Sequence, residues 1–342
     1  MKAARFPAYG AAELIQIDDV PELVAGPGQV LVDVVCASVN PVDVKMRAGS
    51  HRALVWWALP HGVGMDVSGI VQAVGVGVTR FAPGDRVWAT PHYKMPGTFQ
   101  ERTIVPEAEL GLMPKGLPFA SAAGLPLVGL TALQSLDTAA LGAGERILIH
   151  GASGAVGHVA VQIALAMGAL VSGTASVRNH ERLRSLGAVD CIDRTGDWMR
   201  HVPEADVVFL AAECDVDAVV RAAKPGARVV HILGDLPEMV EQYGPLFGAL
   251  LSGVHLVSPT VIGAWRGVRC RHVLKRARGA DMDRLAGFVN KGLQVWIDSE
   301  FPLEQAAQAH LRQEAGPSGK VIVRVRPDPQ EVTSGDVGEA VV

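Results

Sequence analysis

One short stretch, residues 150–158, constrains the fold of this chain more strongly than its composition does. It reads HGASGAVGH and carries glycines at positions 151, 154 and 157. It follows the apolar segment RILIH (146–150) and opens a helical pattern that runs to Gly168. Glycines in such a turn allow a tight bend, let backbone N–H groups approach a pyrophosphate, and let helix and strand pack closely. The spacing alone also fits a turn without a ligand, but its place between strand and helix favours dinucleotide binding.

The segments around this turn alternate between apolar strands and helical patterns. The predicted strands are 146–152, 170–175, 206–212, 227–233 and 254–261. The predicted helices between them are 154–169, 177–188 and 215–226. Strands that alternate with helices of this length indicate parallel βαβ units. The middle of the chain therefore predicts a doubly wound parallel sheet of the nucleotide-binding type.

The rest of the chain predicts a second, β-rich unit. The strand candidates before residue 120, where we expect no long helix, are 29–39, 69–78, 81–90 and 97–106. Later helical patterns cover 120–141, 270–292 and 301–315, and a closing strand is predicted at 319–325. The two helices after residue 264, at 270–292 and 301–315, and the closing strand are too few for a third domain. We therefore expect them to return to the N-terminal unit. We expect the last residues, 327–342, to form a disordered tail.

The bulk properties argue against several classes of protein. The chain has 342 residues and a formal net charge of −4, which gives no electrostatic argument for nucleic acid or a membrane surface. No apolar run approaches the ~20 residues that span a bilayer. The first residues, MKAARFPAYG, lack the apolar core of a signal peptide, so we expect a cytoplasmic protein. The four cysteines are scattered, which predicts neither disulfides nor a structural zinc lobe.

The end of the second strand of the parallel sheet indicates which dinucleotide binds. An NAD site has an acid there, but this strand continues as GTASVRNHE, and its first acid is Glu181. The hydroxyl of Ser176 and the guanidinium of Arg178 suit the 2′-phosphate of NADPH, so we predict this cofactor. The alternative is that Arg178 is only a solvated residue at a helix start. The residues expected to bind the cofactor here are Gly151, Ser153, Gly154, Ala155, Val156, Gly157, Ser176, Arg178 and Asn179.

Six motifs in order carry a family resemblance. They are ASVNPVD (37–43), GVGMDVSGIV (62–71), FAPGDRV (81–87), GLTALQSL (129–136), the glycine turn and GTAS (173–176). The chain resembles the zinc-independent branch of the medium-chain dehydrogenase/reductase superfamily, the quinone oxidoreductase (ζ-crystallin-like) group, and the enoyl reductase domains of polyketide synthases. The resemblance runs over nearly the whole chain.

The resemblance implies an α/β fold with two domains. It implies a GroES-like β-rich substrate domain (1–123 plus 264–326) that is interrupted by a Rossmann doubly wound parallel-sheet domain (124–263), with the active site in the cleft between them. It also implies a homodimer, often formed by edge strands, for which the apolar segment 254–261 is the candidate.

Zinc is not expected. In the zinc enzymes of this superfamily a ligand Cys lies three residues before the position of Asp43, and here that residue is Asn40. The position of their ligand His is occupied by Met65, and amide and thioether groups are poor zinc ligands. Without a Lewis acid to polarise an isolated carbonyl, conjugated acceptors are the easier substrates.

The resemblance also implies the catalytic residues. It places Asn40 near the nicotinamide and substrate, where its amide can donate to the acceptor oxygen. Asp43 would orient the loop or Lys45; the alternative is that its carboxylate only stabilises the turn. Lys45 is a candidate proton donor. Thr131 is matched to a family residue close to the cofactor. Lys320 would approach the cofactor, with a salt bridge as the alternative.

Further residues are candidates for the substrate pocket. Trp56 and Trp57 would form an apolar wall for the acceptor, with core packing or a dimer contact as the alternative. Tyr93 is a pocket candidate and, with His61 and His92, a candidate proton donor, although water can protonate the substrate equally well. His158 is unexplained: a charged imidazole there would favour phosphate, whereas burial would oppose its charge.

Together these observations predict an NADPH-dependent, metal-free oxidoreductase that transfers hydride to a conjugated acceptor, namely a quinone, an enone or an enoyl C=C. The alternative is a non-catalytic NADPH-binding structural or interaction protein of the ζ-crystallin type.

Overall fold

The computed structural model describes residues 1–50, 52, 57–187, 190–234, 239 and 243–328. Its strands are β1 (Lys2–Phe6), β2 (Gln16–Asp19), β3 (Gln29–Val39), β4 (His61–Gly62), β5 (Asp66–Val74), β6 (Arg86–Ala89), β7 (Arg102–Pro106), β8 (Leu110–Leu112), β9 (Arg146–His150), β10 (Leu170–Ala175), β11 (Asp190–Asp193), β12 (Val207–Leu210), β13 (Arg228–His231), β14 (Arg269–His272), β15 (Ile297–Pro302) and β16 (Lys320–Arg324). Its α-helices are α1 (Pro41–Ala48), α2 (Phe119–Gly124), α3 (Pro126–Thr138), α4 (Ala155–Ala166), α5 (His180–Arg184), α6 (Val216–Ala222), α7 (Pro245–Arg266), α8 (Gly279–Val289) and α9 (Ala306–Glu314). Trp56 and residues 329–342 of the predicted tail lie outside the described residues.

The middle of the chain forms the predicted parallel sheet. Its described strands have the order β11-β10-β9-β12-β13-β14, and all five neighbouring pairs are parallel. The central strands β9, β12 and β13 are mostly apolar and buried because helices cover both faces of such a sheet, whereas the edge strands β11 and β14 carry charged residues. Strand order reverses at β9, which has β10 on one side and β12 on the other. This reversal is the place where open α/β sheets bind ligands at the carboxyl ends of their strands.

The last strand of this sheet corrects the sequence prediction. Residues 254–261 were predicted as a strand, but they lie inside α7, which begins with Pro245 at its first turn and ends before Gly267 at φ 69°. The sixth strand is β14, within the stretch 270–292 that was predicted to be helical. Most exposed apolar residues of α7 recur every three or four positions, which is helical spacing, but the eight-residue window VHLVSPTV is too short to show it. β14 is short and carries alternating arginines, as sheet edges often do.

The N-terminal unit is a mostly antiparallel sheet. Its described strands run β15-β16-β3-β5-β6-β8, with β7 also paired to β3, and only β15 and β16 are parallel. β16 pairs with β3, so the C-terminal segment rejoins the N-terminal sheet as predicted. The eleven residues of β3 are almost all buried, and the strand ends directly before Asn40. The exact domain limits stay predictions.

Candidate active site

The glycine turn joins β9 to α4, as its sequence predicts. Gly151 has φ 80°, and a Cβ there would lie 2.6 Å from the Cβ of Ala212. A Cβ on Gly157 would lie 2.1 Å from the carbonyl oxygen of Gly151. Gly154 is the N-cap of α4, with no side chain capping the first turn. The turn thus leaves a side-chain-free cradle at the helix N-terminus, which fits a pyrophosphate held by backbone amides.

The stretch after β10 lies against this turn. The Nδ2 of Asn179 donates to the Oγ of Ser153 at 3.1 Å, so the structure brings these two predicted residues together. Ser176 is half-buried and begins a short 3-10 helix, Val177–Asn179. Arg178 is exposed, and its guanidinium makes no hydrogen bond or ion pair to the residues that the structure describes. It is therefore available for an anionic group near the turn.

Asn40 and Asp43 form the start of a helix that the sequence analysis missed. Pro41 stands at the first position of α1, and the backbone N–H of Asn40 donates to the carboxylate of Asp43 at 2.8 Å. Together the two residues make a capping box, so Asp43 is a cap carboxylate, close to the alternative that the sequence left open. The pattern Asn-Pro-x-Asp was the available signal for this helix. Lys45 lies further along α1 and is half-buried.

Asn40 also belongs to a buried group that we call the Asp66 cluster: Ser38, Asn40, Asp43, Asp66 and Lys320. Asn40 Nδ2 donates to Asp66 at 2.9 Å and to Asp43 at 3.3 Å, and Ser38 Oγ donates to Asp66 at 2.9 Å. Lys320 Nζ donates to Asn40 Oδ1 and forms an ion pair with Asp66 at 3.5 Å. No member is more than 5% exposed. The amide that we expected to donate to an acceptor thus donates to two carboxylates, and its catalytic role stays a prediction.

The sequence analysis does not single out Asp66. It follows Met65, whose side chain was considered only for zinc binding, and it opens β5 with an acid where buried strands are usually apolar. Its second carboxylate oxygen accepts the backbone N–H of Leu127 at 2.9 Å, which ties the cluster to α3. Thr131, one turn later, donates its hydroxyl to Leu127 O at 2.7 Å. The predicted Thr131 and the missed Asp66 are therefore joined through one residue.

Burial sets the ionisation of the Asp66 cluster. Burial, reinforced by the neighbouring charge of Asp66, raises the pKa of Asp43 to about 7. Burial also lowers the pKa of Lys320, while the charges of Asp66 and Asp43 oppose that change. The ion pair between Lys320 and Asp66 is the alternative that the sequence analysis gave for Lys320. Contact of Lys320 with a cofactor stays a prediction.

Several predicted pocket residues line one pocket beside α1. It includes Asp43, Trp57, His61, His92 and Tyr93. Trp57 Nε1 donates to Tyr93 O at 2.9 Å and its ring stacks on His61 at 4.2 Å. Burial lowers the pKa of His61 to about 4, so that this imidazole is neutral near pH 7. His92 Nδ1 lies 2.7 Å from a carboxylate oxygen of Glu109.

His158, unexplained by sequence, is buried in the first turns of α4. Its Nδ1 donates to Gly154 O at 2.9 Å, and its ring stacks on Trp296 with centroids 4.4 Å apart. Burial lowers the pKa of His158 to about 4. The imidazole is therefore neutral near pH 7, which is the outcome expected from burial.

The described residues also bear on whether the chain holds a metal ion or spans a membrane. In those ranges, no three His, Cys, Asp or Glu side chains come together in a way that would hold a metal ion. None of the helices that the structure describes is both long and apolar enough to cross a membrane.

Comparison with known proteins identifies the family. The alcohol dehydrogenase GroES-like domain family matches residues 26–115, and the zinc-binding dehydrogenase family matches residues 186–323. The NAD(P)H oxidoreductase RTN4IP1, mitochondrial, of Bos taurus is 32% identical over 93% of this chain and 87% of its own length. The NADPH-dependent alkenal/one oxidoreductase, chloroplastic, of Arabidopsis thaliana is 37% identical over 68% of this chain and 63% of its own length. The structure of the quinone oxidoreductase from Coxiella burnetii superposes with a TM-score of 0.80 at 28% identity, covering 95% of this chain and 99% of that one.

The fold, the glycine turn and these matches define an oxidoreductase that uses a nicotinamide cofactor. The chain belongs to the medium-chain dehydrogenase/reductase superfamily, in the group of the quinone oxidoreductases and enoyl reductases.

Proposed function

We propose that this protein is an NADPH-dependent, metal-free reductase of conjugated acceptors: quinones, enones or enoyl C=C bonds. The observation that carries the proposal is the placement of two sites. The glycine turn lies at the carboxyl end of β9, and a pocket with aromatic walls lies beside Asp43 and the Asp66 cluster. The names of the Arabidopsis and Coxiella relatives, an alkenal/one oxidoreductase and a quinone oxidoreductase, support the acceptor class.

The preference for NADPH rests on the stretch after β10. No acid follows that strand before Glu181, and Asn179 holds the stretch against the glycine turn through Ser153. Arg178 is exposed beside this contact, where a guanidinium can bind a 2′-phosphate with two hydrogen bonds. The name of the Arabidopsis relative includes NADPH dependence, which supports the same choice.

An Arg178→Ala variant tests the cofactor proposal. We expect its NADPH affinity to fall about tenfold or more, because a hydrogen bond to a charged group contributes about 1.5–3 kcal/mol, while NADH affinity is unchanged. The matched control is Arg184→Ala, another exposed arginine on the next helix. An unchanged NADPH to NADH preference in Arg178→Ala would remove Arg178 from the cofactor site.

The bound cofactor supplies hydride, and the chain supplies position and electrostatics. The Asp66 cluster is buried and hydrogen-bonded throughout, so it holds α1 rigidly at the floor of the pocket. Trp57 and His61, stacked on one another, form an apolar wall suited to a flat conjugated acceptor. Lys45, His92, Tyr93 and water are the remaining proposals for supplying a proton, since the buried imidazole of His61 is neutral near pH 7.

The acceptor proposal is tested by following NADPH oxidation with 1,4-naphthoquinone, a 2-alkenal and an enoyl thioester. Hydride transfer to C=C gives a saturated carbonyl product, and hydride transfer to a quinone gives the hydroquinone. A semiquinone radical would instead indicate that the two electrons of NADPH go to two quinones, so product analysis separates these chemistries. Binding of NADPH without turnover of any acceptor would instead support the non-catalytic alternative. One zinc per chain in metal analysis would contradict the metal-free proposal.

A homodimer and a cytoplasmic location are further proposals. The interface cannot be a strand at 254–261, because these residues are helical. The outward face of α7 is the candidate dimer interface instead. It exposes apolar residues at helical spacing, namely Leu250, Val254, Val257, Val261 and Trp265. A charged replacement such as Val257→Glu should convert a dimer to a monomer in sedimentation.

The cytoplasmic location is tested by cell fractionation, since relatives carry the names mitochondrial and chloroplastic.

A further inference from the structure

A chain of hydrogen bonds connects the glycine turn to the Asp66 cluster, and we call it the His158 relay. His158 Nδ1 donates to Gly154 O at 2.9 Å, and His158 Nε2 accepts the backbone N–H of Trp296 at 3.3 Å. The carbonyl of Trp296 accepts the backbone N–H of Lys320 at 2.6 Å. Lys320 Nζ then donates to Asn40 Oδ1. The relay thus runs through Gly154, His158, Trp296, Lys320 and Asn40.

The partners of His158 determine its tautomer. Gly154 O can only accept a hydrogen bond, so Nδ1 must carry the proton, and the N–H of Trp296 can only donate, so Nε2 must be bare. An imidazolium would lose the second bond. Burial favours the neutral ring as well, since the pKa of His158 is lowered to about 4. Both ends of the imidazole are therefore used, one for each domain.

Close contacts fix Trp296 and the segment before Lys320 in the relay. The guanidinium of Arg182 lies 3.7 Å from the centroid of the Trp296 ring and donates to Ser318 O at 3.2 Å. Gly319 approaches so closely that a Cβ would lie 2.6 Å from Trp296 O. Trp296 directly precedes β15 and Lys320 begins β16, so movement at Trp296 is transmitted to two paired strands of the N-terminal sheet.

A second contact crosses the same interface without belonging to the relay. Gln162, one turn after His158 on α4, donates to Gln294 O at 2.9 Å and accepts the N–H of Gln294 at 2.9 Å. It makes two hydrogen bonds across the interface, and its Nε2 also donates to the carbonyl of His158 at 3.0 Å, but none of these bonds involves the imidazole, Gly154 or Lys320. The chain therefore offers a matched control for the role of His158.

We propose that His158 is a positioning residue that couples cofactor binding at the glycine turn to the placement of Lys320 and Asn40 in the Asp66 cluster. The inference rests on the proposed cofactor site. A pyrophosphate held by the amides that follow Gly154 fixes the first turn of α4, and with it the carbonyl that orients the imidazole. The imidazole in turn fixes Trp296, whose carbonyl holds Lys320 at the start of β16.

The test compares His158→Phe with Gln162→Ala. Phenylalanine keeps a ring to stack on Trp296 and removes both relay hydrogen bonds, whereas Gln162→Ala removes two bonds across the same interface. Hydrogen exchange of the Trp296 and Lys320 amides is measured with and without NADPH, together with the NADPH dissociation constant. We expect NADPH to slow exchange of both amides about fivefold or more in the wild type and in Gln162→Ala, and less than twofold in His158→Phe.

Activity gives a second readout. We expect His158→Phe to lower kcat for the acceptor with little change in its KM, and Gln162→Ala to leave kcat near wild type, because only the relay reaches Asn40. Equal NADPH protection in His158→Phe and wild type would overturn the coupling, and so would equal losses in the two variants. A wild type that does not bind NADPH would instead refute the proposed cofactor, which keeps the two failures distinct.

Discussion

The glycine turn and the Asp66 cluster are the two parts of the proposed site, and they are built in opposite ways. The turn is contiguous: three glycines within seven residues, between one strand and one helix, with a constraint that is steric. The cluster is assembled from separate segments, and its contact between Lys320 and Asn40 joins residues 280 positions apart. Its constraint is electrostatic, because charges are buried and must be paired. A contiguous steric motif can be read from sequence, whereas a buried charge network shows itself only when the sheet brings its members together.

The largest effect should come from removing the central charge of the cluster. Asp66→Asn keeps the size of the side chain but leaves Lys320 buried without its closest carboxylate. Breaking a buried pair from one side costs about 3–5 kcal/mol, so we expect the free energy of unfolding in urea to fall by about 3 kcal/mol or more. In the double variant Asp66→Asn/Lys320→Met, part of this loss should be recovered because the buried ammonium that lost its partner is gone.

An exposed ion pair provides the control for Asp66. Asp283 pairs with Arg80 at 2.7 Å, and the two side chains are 48% and 40% exposed. Asp283→Asn should cost less than about 1 kcal/mol because exposed pairs are screened by water. Equal losses in Asp66→Asn and Asp283→Asn would show that the cluster does not depend on buried charge.

The same contrast explains how much the sequence predicted. The alternation of strands and helices predicted the parallel sheet, and the glycines predicted the turn and its place, because both signals are local. The segment 254–261 was assigned the wrong type because its apolar residues, Val254, Leu256, Val257 and Val261, fit a short strand as well as part of a 22-residue helix. Asp66 and His158 were missed or unexplained because their meaning depends on Lys320 and Trp296, which are distant in sequence. Helix α1 is a different kind of miss, since its capping residues were in view.

A smaller effect should distinguish the glycines of the turn from one another. Gly157→Ala would place a methyl 2.1 Å from Gly151 O and 2.8 Å from Ala152 Cα, and backbone atoms cannot move aside cheaply. We expect a loss of about 1–3 kcal/mol in thermal or urea unfolding, with weaker NADPH binding. Gly154→Ala, with its nearest neighbour at 3.2 Å and an ordinary φ of −72°, should lose less stability. If both variants unfold alike, steric fit does not set the spacing.

The last effect is small per pH unit and concerns the pH dependence that the cluster imparts through Asp43. Its pKa in the folded protein is raised to about 7 from an ordinary 3.8, so between these values the folded state binds more protons than the unfolded state. The contribution of Asp43 to stability is therefore complete below about pH 4 and is lost as pH rises through 7, by less than about 1.4 kcal/mol per pH unit. Asp43→Asn keeps an acceptor for the Asn40 N–H and removes the titration. Its stability relative to wild type should therefore rise between pH 4.5 and 7.5.

Asp298 should give a pH dependence of stability opposite to that of Asp43, so it serves as the control for this experiment. The Arg312 guanidinium that donates to it holds the pKa of Asp298 well below its usual range, so its contribution is present above about pH 4 and is lost in acid. Asp298→Asn should therefore lose stability relative to wild type as pH rises from 2.5 to about 5, where Asp43→Asn begins to gain. A constant difference from wild type across pH in Asp43→Asn would mean that Asp43 is ionised in the folded protein throughout. The cluster would then hold two carboxylates against one ammonium, and the Asn40 amide would be the group that makes this possible.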